Sequence, residues 1–304
     1  SNSGGLIHAG TGQLNLGATS AFTNSGTVAS NGQLGLTATS LTNSGSLGIA
    51  RNITIATSEL AANSGSIVSG GAFNLTAGQF AGSGGRIEAA TAFGINAAQI
   101  DLGNGRYVLT GTGTLNLAAS GSLTAYAAEL GSNGNITISA SDVALGGSEA
   151  SAVGTIRISS TSGPVSLGTG GLLASGGGID LAAIGAINAS GATLSTAGLA
   201  SLSGSSINLD DGILEADRFV LGAPIVSLRR AQLRQTGSAD FALISSGTVD
   251  YSGGEIYAAG NNFTLTAANI INEGGAILHG GNGLLQISAT GTIDNDGGRI
   301  ATNG

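Results

Sequence analysis

The sequence is marked first by the residues that it lacks. It contains no Cys, no Met and no Trp, only two of its 304 residues are Pro, and its nine basic residues are all Arg. The absence of Cys excludes a disulfide framework and a cysteine-ligated metal site. The scarcity of Pro, together with the absence of a three-residue glycine period, excludes a collagen-like chain.

Charge and long apolar runs are scarce as well. Charged residues make up 9% of the chain and the formal net charge is −8, so we expect no binding to a nucleic-acid backbone. No apolar run approaches the roughly 20 residues that a membrane helix needs, so we expect no membrane-spanning segment. Hydrophobic residues nevertheless make up 41% of the chain, which is enough to bury a core and disfavours disorder.

A short repeat runs through the whole chain. Two apolar residues that flank one polar or small residue recur about every 19 to 23 residues, which is the period of a solenoid. Alternation with a period of two predicts a strand that has one face inward and one face outward. The pairs are Leu14/Leu16, Leu34/Leu36, Ile53/Ile55, Phe73/Leu75, Phe93/Ile95, Leu115/Leu117, Ile136/Ile138, Ile156/Ile158, Ile179/Leu181, Ala200/Leu202, Phe219/Leu221, Phe241/Leu243, Phe263/Leu265 and Leu285/Ile287.

Two further apolar positions complete each repeat. One follows the pair by about seven to nine residues, as at Leu41 and Leu60. The other follows an Asn-Ser-Gly turn, as at Val28 after Asn24-Ser25-Gly26. All seven Phe fall on the inward phase of this pattern. The Asn residues are interpreted as turn formers that tolerate a left-handed backbone, with stacked Asn side chains as the alternative.

Three short strands per repeat, separated by Gly, Asn and Ser turns, predict an all-β fold. We expect a right-handed, single-stranded parallel β-helix of about 14 rungs, because one repeat cannot bury its own apolar face and stacked repeats can. The prediction is one continuous β-helix over residues 1–304. Its repeats are regular at 1–100, more divergent at 101–249 and regular again at 250–304.

The repeats also resemble those of a known family. The stretches Asn24-Ser25-Gly26-Thr27-Val28-Ala29-Ser30-Asn31-Gly32 and Tyr251-Ser252-Gly253-Gly254-Glu255-Ile256-Tyr257-Ala258-Ala259-Gly260, each leading into an apolar pair, look like filamentous haemagglutinin repeats. The resemblance covers nearly the whole chain. Without the Asn-Pro-Asn secretion signature of the family's amino-terminal domain, and without a toxin-like carboxyl end, the chain is expected to be a piece of a longer protein.

The resemblance implies a partner for export and a place of action. Such exoproteins leave a Gram-negative bacterium through an outer-membrane two-partner transporter and are secreted or displayed on the outer surface. There they adhere to a host or bacterial receptor or glycan, or present a receptor-binding tip and toxin in contact-dependent growth inhibition. We expect a stalk segment of such a filament, with end-to-end self-association through its unpaired strand edges.

The two histidines, His8 and His279, are too few for a histidine dyad or metal cluster within one chain. His8 follows Ile7, which the repeat places inward, so His8 is expected to point outward. His279 takes the inward position that Ala9 holds in the first repeat and is expected to be a hydrogen-bonded interior residue. We therefore expect no catalytic residue, no metal and no cofactor.

Acidic side chains are concentrated at one place in the sequence. Asp210, Asp211, Glu215 and Asp217 stand next to Arg218. Paired carboxylates beside a cation are what a polysaccharide-active β-helix enzyme needs for acid–base chemistry, so such an enzyme is the competing hypothesis. Because Asp210-Asp211-Gly212 occupies a turn position, we favour solvated turn carboxylates and no enzymatic activity.

Basic side chains are concentrated beside them. Arg218, Arg229, Arg230 and Arg234 lie within about one repeat of sequence. They are expected to form outward salt bridges with acidic neighbours one rung away. The alternative is a lateral patch that contacts an anionic sugar or a receptor loop and makes this segment itself receptor-binding. The candidate binding residues are Arg218, Arg229, Arg230, Arg234, Asp210 and Asp211.

Overall fold

The computed structural model describes residues 1–304 and contains strands but no helix. The chain divides into two compact units, Ser1–Gly154 and Thr155–Gly304. Each unit is a parallel β-solenoid whose turns contain up to three strands, which we call a, b and c in chain order. The predicted fold class, an all-β parallel solenoid, is confirmed.

The first unit begins with an a strand and contains eight strands of that class. The a strands are Gly5–His8, Thr27–Ser30, Ser46–Ile49, Ser66–Ser69, Arg86–Ala89, Arg106–Leu109, Glu129–Ser132 and Glu149–Ala152. The b strands are Gln13–Gly17, Gln33–Ala38, Ile53–Thr57, Thr114–Ala119 and Asn135–Ala140. The c strands are Ala21–Asn24, Ser40–Asn43, Leu60–Asn63, Ser122–Thr124 and Asp142–Ala144. In two turns one long strand spans both b and c positions, Ala72–Ala81 and Ala92–Asp101.

The second unit begins with a b strand and contains seven strands of each class. The b strands are Thr155–Ser160, Gly178–Ala183, Leu199–Ser203, Arg218–Gly222, Phe241–Ile244, Phe263–Ala267 and Leu285–Ala289. The c strands are Val165–Ser166, Ile187–Asn188, Ile207–Asn208, Val226–Ser227, Thr248–Asp250, Asn269–Ile271 and Ile293–Asp294. The a strands are Leu172–Ser175, Thr193–Thr196, Ile213–Ala216, Gln232–Gln235, Glu255–Ala258, Ala276–His279 and Arg299–Thr302.

The number of turns is about 15, one more than predicted. The sequence pattern counts apolar pairs, and each of the 14 b positions carries one of them. The a strands number 15, because one precedes the first pair and another follows the last pair. The additional turn is therefore a consequence of counting by b strands.

Equivalent residues of successive turns pair in parallel. Leu34 pairs with Ile53 in the b ladder, and Val28 pairs with Leu47 in the a ladder. Because the register never shifts by a single residue in these ladders, the inward phase is preserved from turn to turn. Six of the seven Phe are buried, and Phe22, in the first turn, is only half-buried. Phe73 and Phe93 pack against each other in successive turns, with tilted rings whose centroids are 5.3 Å apart.

The predicted inward phase is wrong at the amino-terminal end. Leu6 pairs with Val28 and His8 pairs with Ser30, so Leu6 and His8 share the inward phase while Ile7 is 78% exposed. His8 is half-buried, and its Nδ1 lies 2.9 Å from the Ser30 hydroxyl. Ala9, which was predicted to line the interior, is exposed. In the first repeat both faces of the strand carry an apolar residue, Leu6 inward and Ile7 outward, so hydrophobicity does not show which face is inward.

The predicted inward residue of the third c strand is also wrong. Leu41 pairs with Ala61, which is fully buried, while Leu60 is 39% exposed. The inward Leu41 precedes Asn43 by two residues, and the inward Ala61 precedes Asn63 by two residues. The Asn therefore marks the phase more reliably than the larger side chain does.

Those Asn side chains form a ladder inside the first unit. Asn24 Nδ2 donates to Asn43 Oδ1 and Asn43 Nδ2 donates to Asn63 Oδ1, each over 2.7 Å. Asn2 Nδ2 extends the ladder by donating to Asn24 Oδ1 over 2.8 Å. Asn24, Asn43 and Asn63 are buried, and none of them has a positive φ. The stacked arrangement is therefore the correct interpretation, and the left-handed one is wrong for these residues.

The corner between c and a strands changes after the third Asn. From the fourth turn on, the corner contains a left-handed residue. The buried position before it is filled mostly by apolar residues such as Leu102 and Leu209, and near the carboxyl end by Asn272. This second corner type positions the charged residues of the candidate site. The left-handed residues at these corners are Gly84, Asn104, Ala127, Gly147, Gly168, Gly170, Gly191, Asp211, Arg230, Gly253, Gly274 and Gly297.

Replacing the middle Asn of the ladder tests its contribution to stability. Asn43→Ala removes the partner of Asn63 Oδ1 and the main partner of Asn24 Nδ2 in a buried site. We expect the free energy of unfolding to fall by about 1 to 3 kcal/mol, measured by urea denaturation followed by circular dichroism. The exposed Asn74, replaced by Ala, is the matched control. Equal midpoints for the two variants would show that the ladder contributes nothing.

Candidate functional site

The candidate charged residues lie mainly at one corner of the second unit. Asp210 and Asp211 follow the c strand Ile207–Asn208, and Arg229 and Arg230 occupy the same places one turn later. The backbone fixes this alignment, since Asp211 N–H donates to the Arg229 carbonyl over 2.9 Å. Asp250 belongs to the c strand of the following turn. We call Asp210, Asp211, Arg229, Arg230 and Asp250 the corner cluster.

Asp211 and Arg230 form the best-defined pair of the corner cluster. Arg230 Nε donates to Asp211 Oδ1 over 2.6 Å, and Arg230 Nη2 donates to Oδ2 over 2.7 Å. Both residues have a left-handed backbone, with φ of 59° and 54°, which is uncommon for Asp and costly for Arg. This backbone lets the two side chains meet as a bidentate pair one turn apart.

The same pair changes the titration of Asp211. The hydrogen bond from Arg230 is the largest cause that holds the pKa of Asp211 below its usual range, and the charge of the guanidinium acts in the same direction. Asp211 also raises the pKa of Arg230, again chiefly through the hydrogen bond. Both side chains are exposed, so solvent screens their attraction.

Arg229 joins the two remaining carboxylates of the corner cluster. Its Nε lies 3.2 Å from Asp250 Oδ2 and 3.6 Å from Asp210 Oδ2. Asp210 Oδ1 also accepts hydrogen bonds from the Arg229 N–H, over 3.0 Å, and from the Ser227 hydroxyl. Every carboxylate of the cluster therefore has a cationic partner, as the salt-bridge hypothesis expects.

Two predicted site residues lie outside the corner cluster. Arg218 stands at the start of a b strand, with its Nε 3.4 Å from Asp217 Oδ2. Arg234 lies on the a strand Gln232–Gln235, in register with Glu215 and exposed to solvent. The structure thus brings together four of the six predicted residues, Asp210, Asp211, Arg229 and Arg230.

The acidic group proposed for an enzyme is divided by the fold. Asp210 and Asp211 precede the a strand Ile213–Ala216, whereas Asp217 and Arg218 follow it. A strand of four residues separates the two pairs by about 13 Å along the chain. No group of three or more His, Cys, Asp or Glu is placed to hold a metal ion. No helix in the structure is long and apolar enough to span a membrane.

A shallow groove runs beside the corner cluster. Arg230 stands at its edge, Gln232 and Glu255 contribute polar side chains, and Gly253 and Gly254 are among the residues that line it. Gly253 is exposed and has no side chain, so it leaves the main chain accessible there. An extended polar ligand could lie there against one cation and one carboxylate.

The expectation that His279 is a hydrogen-bonded interior residue is confirmed. It is buried, its Nε2 lies 3.1 Å from the Gly260 carbonyl, and its Nδ1 lies 2.9 Å from the Thr302 hydroxyl. It pairs with Ala258 and Thr302 at the last a-strand position, which is the position of His8 and not of Ala9. The same error of phase that affects Ile7 explains this difference.

Comparison with known protein families accounts for nearly all of the chain. The haemagglutinin repeat profile matches residues 2–47, 29–97, 62–128, 132–250 and 230–297. The chain belongs to the haemagglutinin repeat family. The corner cluster lies within the matched residues 132–250, so it is part of the repeat array and not an inserted element.

Membership of the haemagglutinin repeat family indicates the general type of protein and where such proteins are found. It is a structural adhesin family and not an enzymatic one, and its members are secreted or exposed at the cell surface. Its repeats fit an adhesin-type filament of two-partner secretion proteins. No curated protein and no solved structure matches the chain.

Two residues at the corner cluster were missed by sequence reasoning. Asp250 and Ser227 complete the hydrogen bonds and ion pairs of Arg229 and Asp210. They stand at the same c-strand position in successive turns, where Ser227 pairs with Asp250. Aligning each c strand on its inward residue would have identified both.

Titration of Asp211 tests the bidentate pair. The pKa of Asp211 is lowered in the folded chain. The pair therefore stabilises the fold at pH values above those at which an Asp side chain usually titrates. This stabilisation is lost as the pH falls through the lowered pKa. We expect Arg230→Gln to return the Asp211 midpoint to that range, measured by carboxyl carbon NMR. Arg106→Gln, which breaks an exposed pair in the first unit, serves as the control. An unchanged Asp211 midpoint in the Arg230 variant would contradict the pairing.

Proposed function

We propose that this haemagglutinin repeat chain is a stalk segment of an adhesin-type filament exported by two-partner secretion in a Gram-negative bacterium. The observation that carries the proposal is the haemagglutinin repeat match over almost every turn. On this proposal the chain sets the distance between the cell surface and a binding or toxic tip. Its export partner is an outer-membrane transporter.

The chemistry of the chain supports export and assembly outside the cell. A chain without Cys cannot form wrong disulfides in an oxidising compartment. Each turn contacts chiefly its neighbours, so a newly exported turn can fold on the one already formed. The in-register a ladder, in which Ser46 pairs with Thr27 and Ser66 pairs with Ser46, provides such a template.

A second candidate function is lateral receptor binding by the second unit. The groove beside the corner cluster supports it, because Arg230 and Gln232 stand where an anionic sugar or a receptor loop could be held. Arg234 adds an exposed cation on the same a strand as Gln232. On this alternative the segment itself binds the receptor of an adhesin or of a contact-dependent inhibition effector.

An enzymatic role has less support. A glycoside hydrolase needs two carboxylates about 5 to 9.5 Å apart on either side of the bond to be cleaved. Asp210 and Asp211 are already held by Arg229, Arg230 and Ser227, and Asp217 lies beyond the next strand.

End-to-end self-association of the chain through its unpaired strand edges stays a prediction.

A glycan panel distinguishes these functions. As a stalk segment, the chain is expected to release no reducing sugar from acidic or neutral glycans and to bind none of them specifically. Binding that is lost in Arg230→Gln with Arg234→Gln would support lateral recognition instead. Arg86→Gln with Arg106→Gln, two exposed cations of the first unit, is the matched control. Sugar release that is abolished by Asp211→Asn would overturn the stalk proposal.

A further inference from the structure

The b ladder of the second unit is interrupted at one place. Leu199–Ser203 pairs with Arg218–Gly222, and Phe241–Ile244 pairs with Phe263–Ala267. Between Arg218–Gly222 and Phe241–Ile244 no residues are paired, and the last three b strands form a separate sheet. The break therefore lies between two neighbouring turns on the b side only.

The other two ladders continue across the same pair of turns. The a strands Ile213–Ala216 and Gln232–Gln235 are paired over their whole length. The c strands Val226–Ser227 and Thr248–Asp250 are paired as well. The two turns are thus paired in ladders along two sides and not along the third.

The break interrupts the parallel pairing of the main chain. Phe241 N–H donates to the Asn262 carbonyl and Phe263 N–H donates to the Leu284 carbonyl, each toward the following turn. Phe219 and Leu221 occupy the equivalent inward phase, so their N–H groups face Phe241–Ile244. Ala242, on the outward phase of that strand, faces back toward Arg218–Gly222.

The largest change in corner length within the second unit coincides with the break. A single residue, Asp217, separates the a strand from the b strand in one turn, whereas residues 236–240 separate them in the next. The longer corner is filled by the buried Gln235, whose Nε2 donates to the Ala239 carbonyl over 2.6 Å and whose Oε1 accepts from Gly260 N–H over 3.2 Å.

Packing inside the solenoid is altered at the same place. Phe219 and Phe241 meet edge to face with centroids 5.6 Å apart, whereas Phe241 and Phe263 stack in parallel at 4.9 Å. Phe219 and Leu221 are 6% and 4% exposed, while Phe241 and Leu243 are at most 1% exposed. Solvent therefore reaches the inward side chains on one side of the break, beneath a groove that Arg218, Val220, Asp240 and Ile244 help to line.

We propose that the break between Arg218–Gly222 and Phe241–Ile244 is a hinge of the second unit. The b side opens and closes there while the a and c ladders hold the two turns together. The hinge does not depend on the proposed stalk function, since it follows from hydrogen bonding within the unit. It makes this pair of turns the most compliant point of the b ladder in that unit.

Amide hydrogen exchange tests the first requirement of the hinge. Leu221 and Leu243 have equivalent inward positions in successive turns, but only the Leu243 amide faces a paired strand. Ala242 and Thr264 form a second matched pair, in which only Thr264 faces a paired strand. We expect exchange at Leu221 and Ala242 to be at least about tenfold faster than at their partners. Equal protection within both pairs would overturn the proposal.

Spin-label distances test the motion itself. The chain has no Cys, so Ser201→Cys with Thr264→Cys places two labels three turns apart across the break. Thr54→Cys with Asn116→Cys spans the same number of turns through an unbroken b ladder in the first unit. We expect a broader distance distribution for the first pair, measured by double electron–electron resonance. Distributions of equal width would overturn the hinge even if the amides exchange quickly.

Discussion

The parallel register between equivalent residues of successive turns is the constraint on which the rest of the structure depends. No turn can bury its own apolar face, so each inward side chain is covered by its counterpart one turn away. Phe73 lies on Phe93, Val28 pairs with Leu47, and Asn24 is hydrogen-bonded to Asn43. The sparse charge of the chain follows the same rule, since Asp211 finds its partner, Arg230, in the next turn.

The apolar pairs made the fold predictable, because a period-two pattern repeated about every 20 residues fits few folds other than a solenoid. The wrongly predicted inward positions lie where neighbouring residues on both faces of a strand are apolar. At Ile7 and at Leu60 the larger side chain lies outward and a smaller or polar neighbour lies inward. Hydrophobicity alone cannot select the phase there, whereas the distance to the corner Asn can, which is Asn2 before Ile7 and Asn63 after Leu60.

The corners were harder to predict than the strands. Asn in a turn suggests a left-handed backbone, yet the first corners bury their Asn in a ladder of hydrogen bonds. The left-handed residues lie at later corners, and two of them, Asp211 and Arg230, form the bidentate pair of the corner cluster. The sequence predicts where charge is concentrated. Which charges meet depends on corner geometry, and that geometry places Arg218 one strand away.

For a haemagglutinin repeat protein this organisation separates two roles. The inward residues specify the stack of turns, because they form its buried core, whereas the outward residues form the exposed surface of the solenoid. The corner cluster with its adjacent groove is one local departure from the regular repeat, and the break in the b ladder is another. Both arise where the length or type of a corner departs from that of its neighbours.

Disulfide trapping tests the parallel register most directly, because the chain has no Cys of its own. Asn74 pairs with Gly94 on the outward face of a b ladder, at the strand spacing of about 4.8 Å, which a disulfide can bridge. The account predicts rapid oxidative cross-linking of Asn74→Cys with Gly94→Cys. It predicts little for Asn74→Cys with Asn96→Cys, which lies two residues out of register. Equal cross-linking of the two pairs would contradict the stacking of equivalent residues.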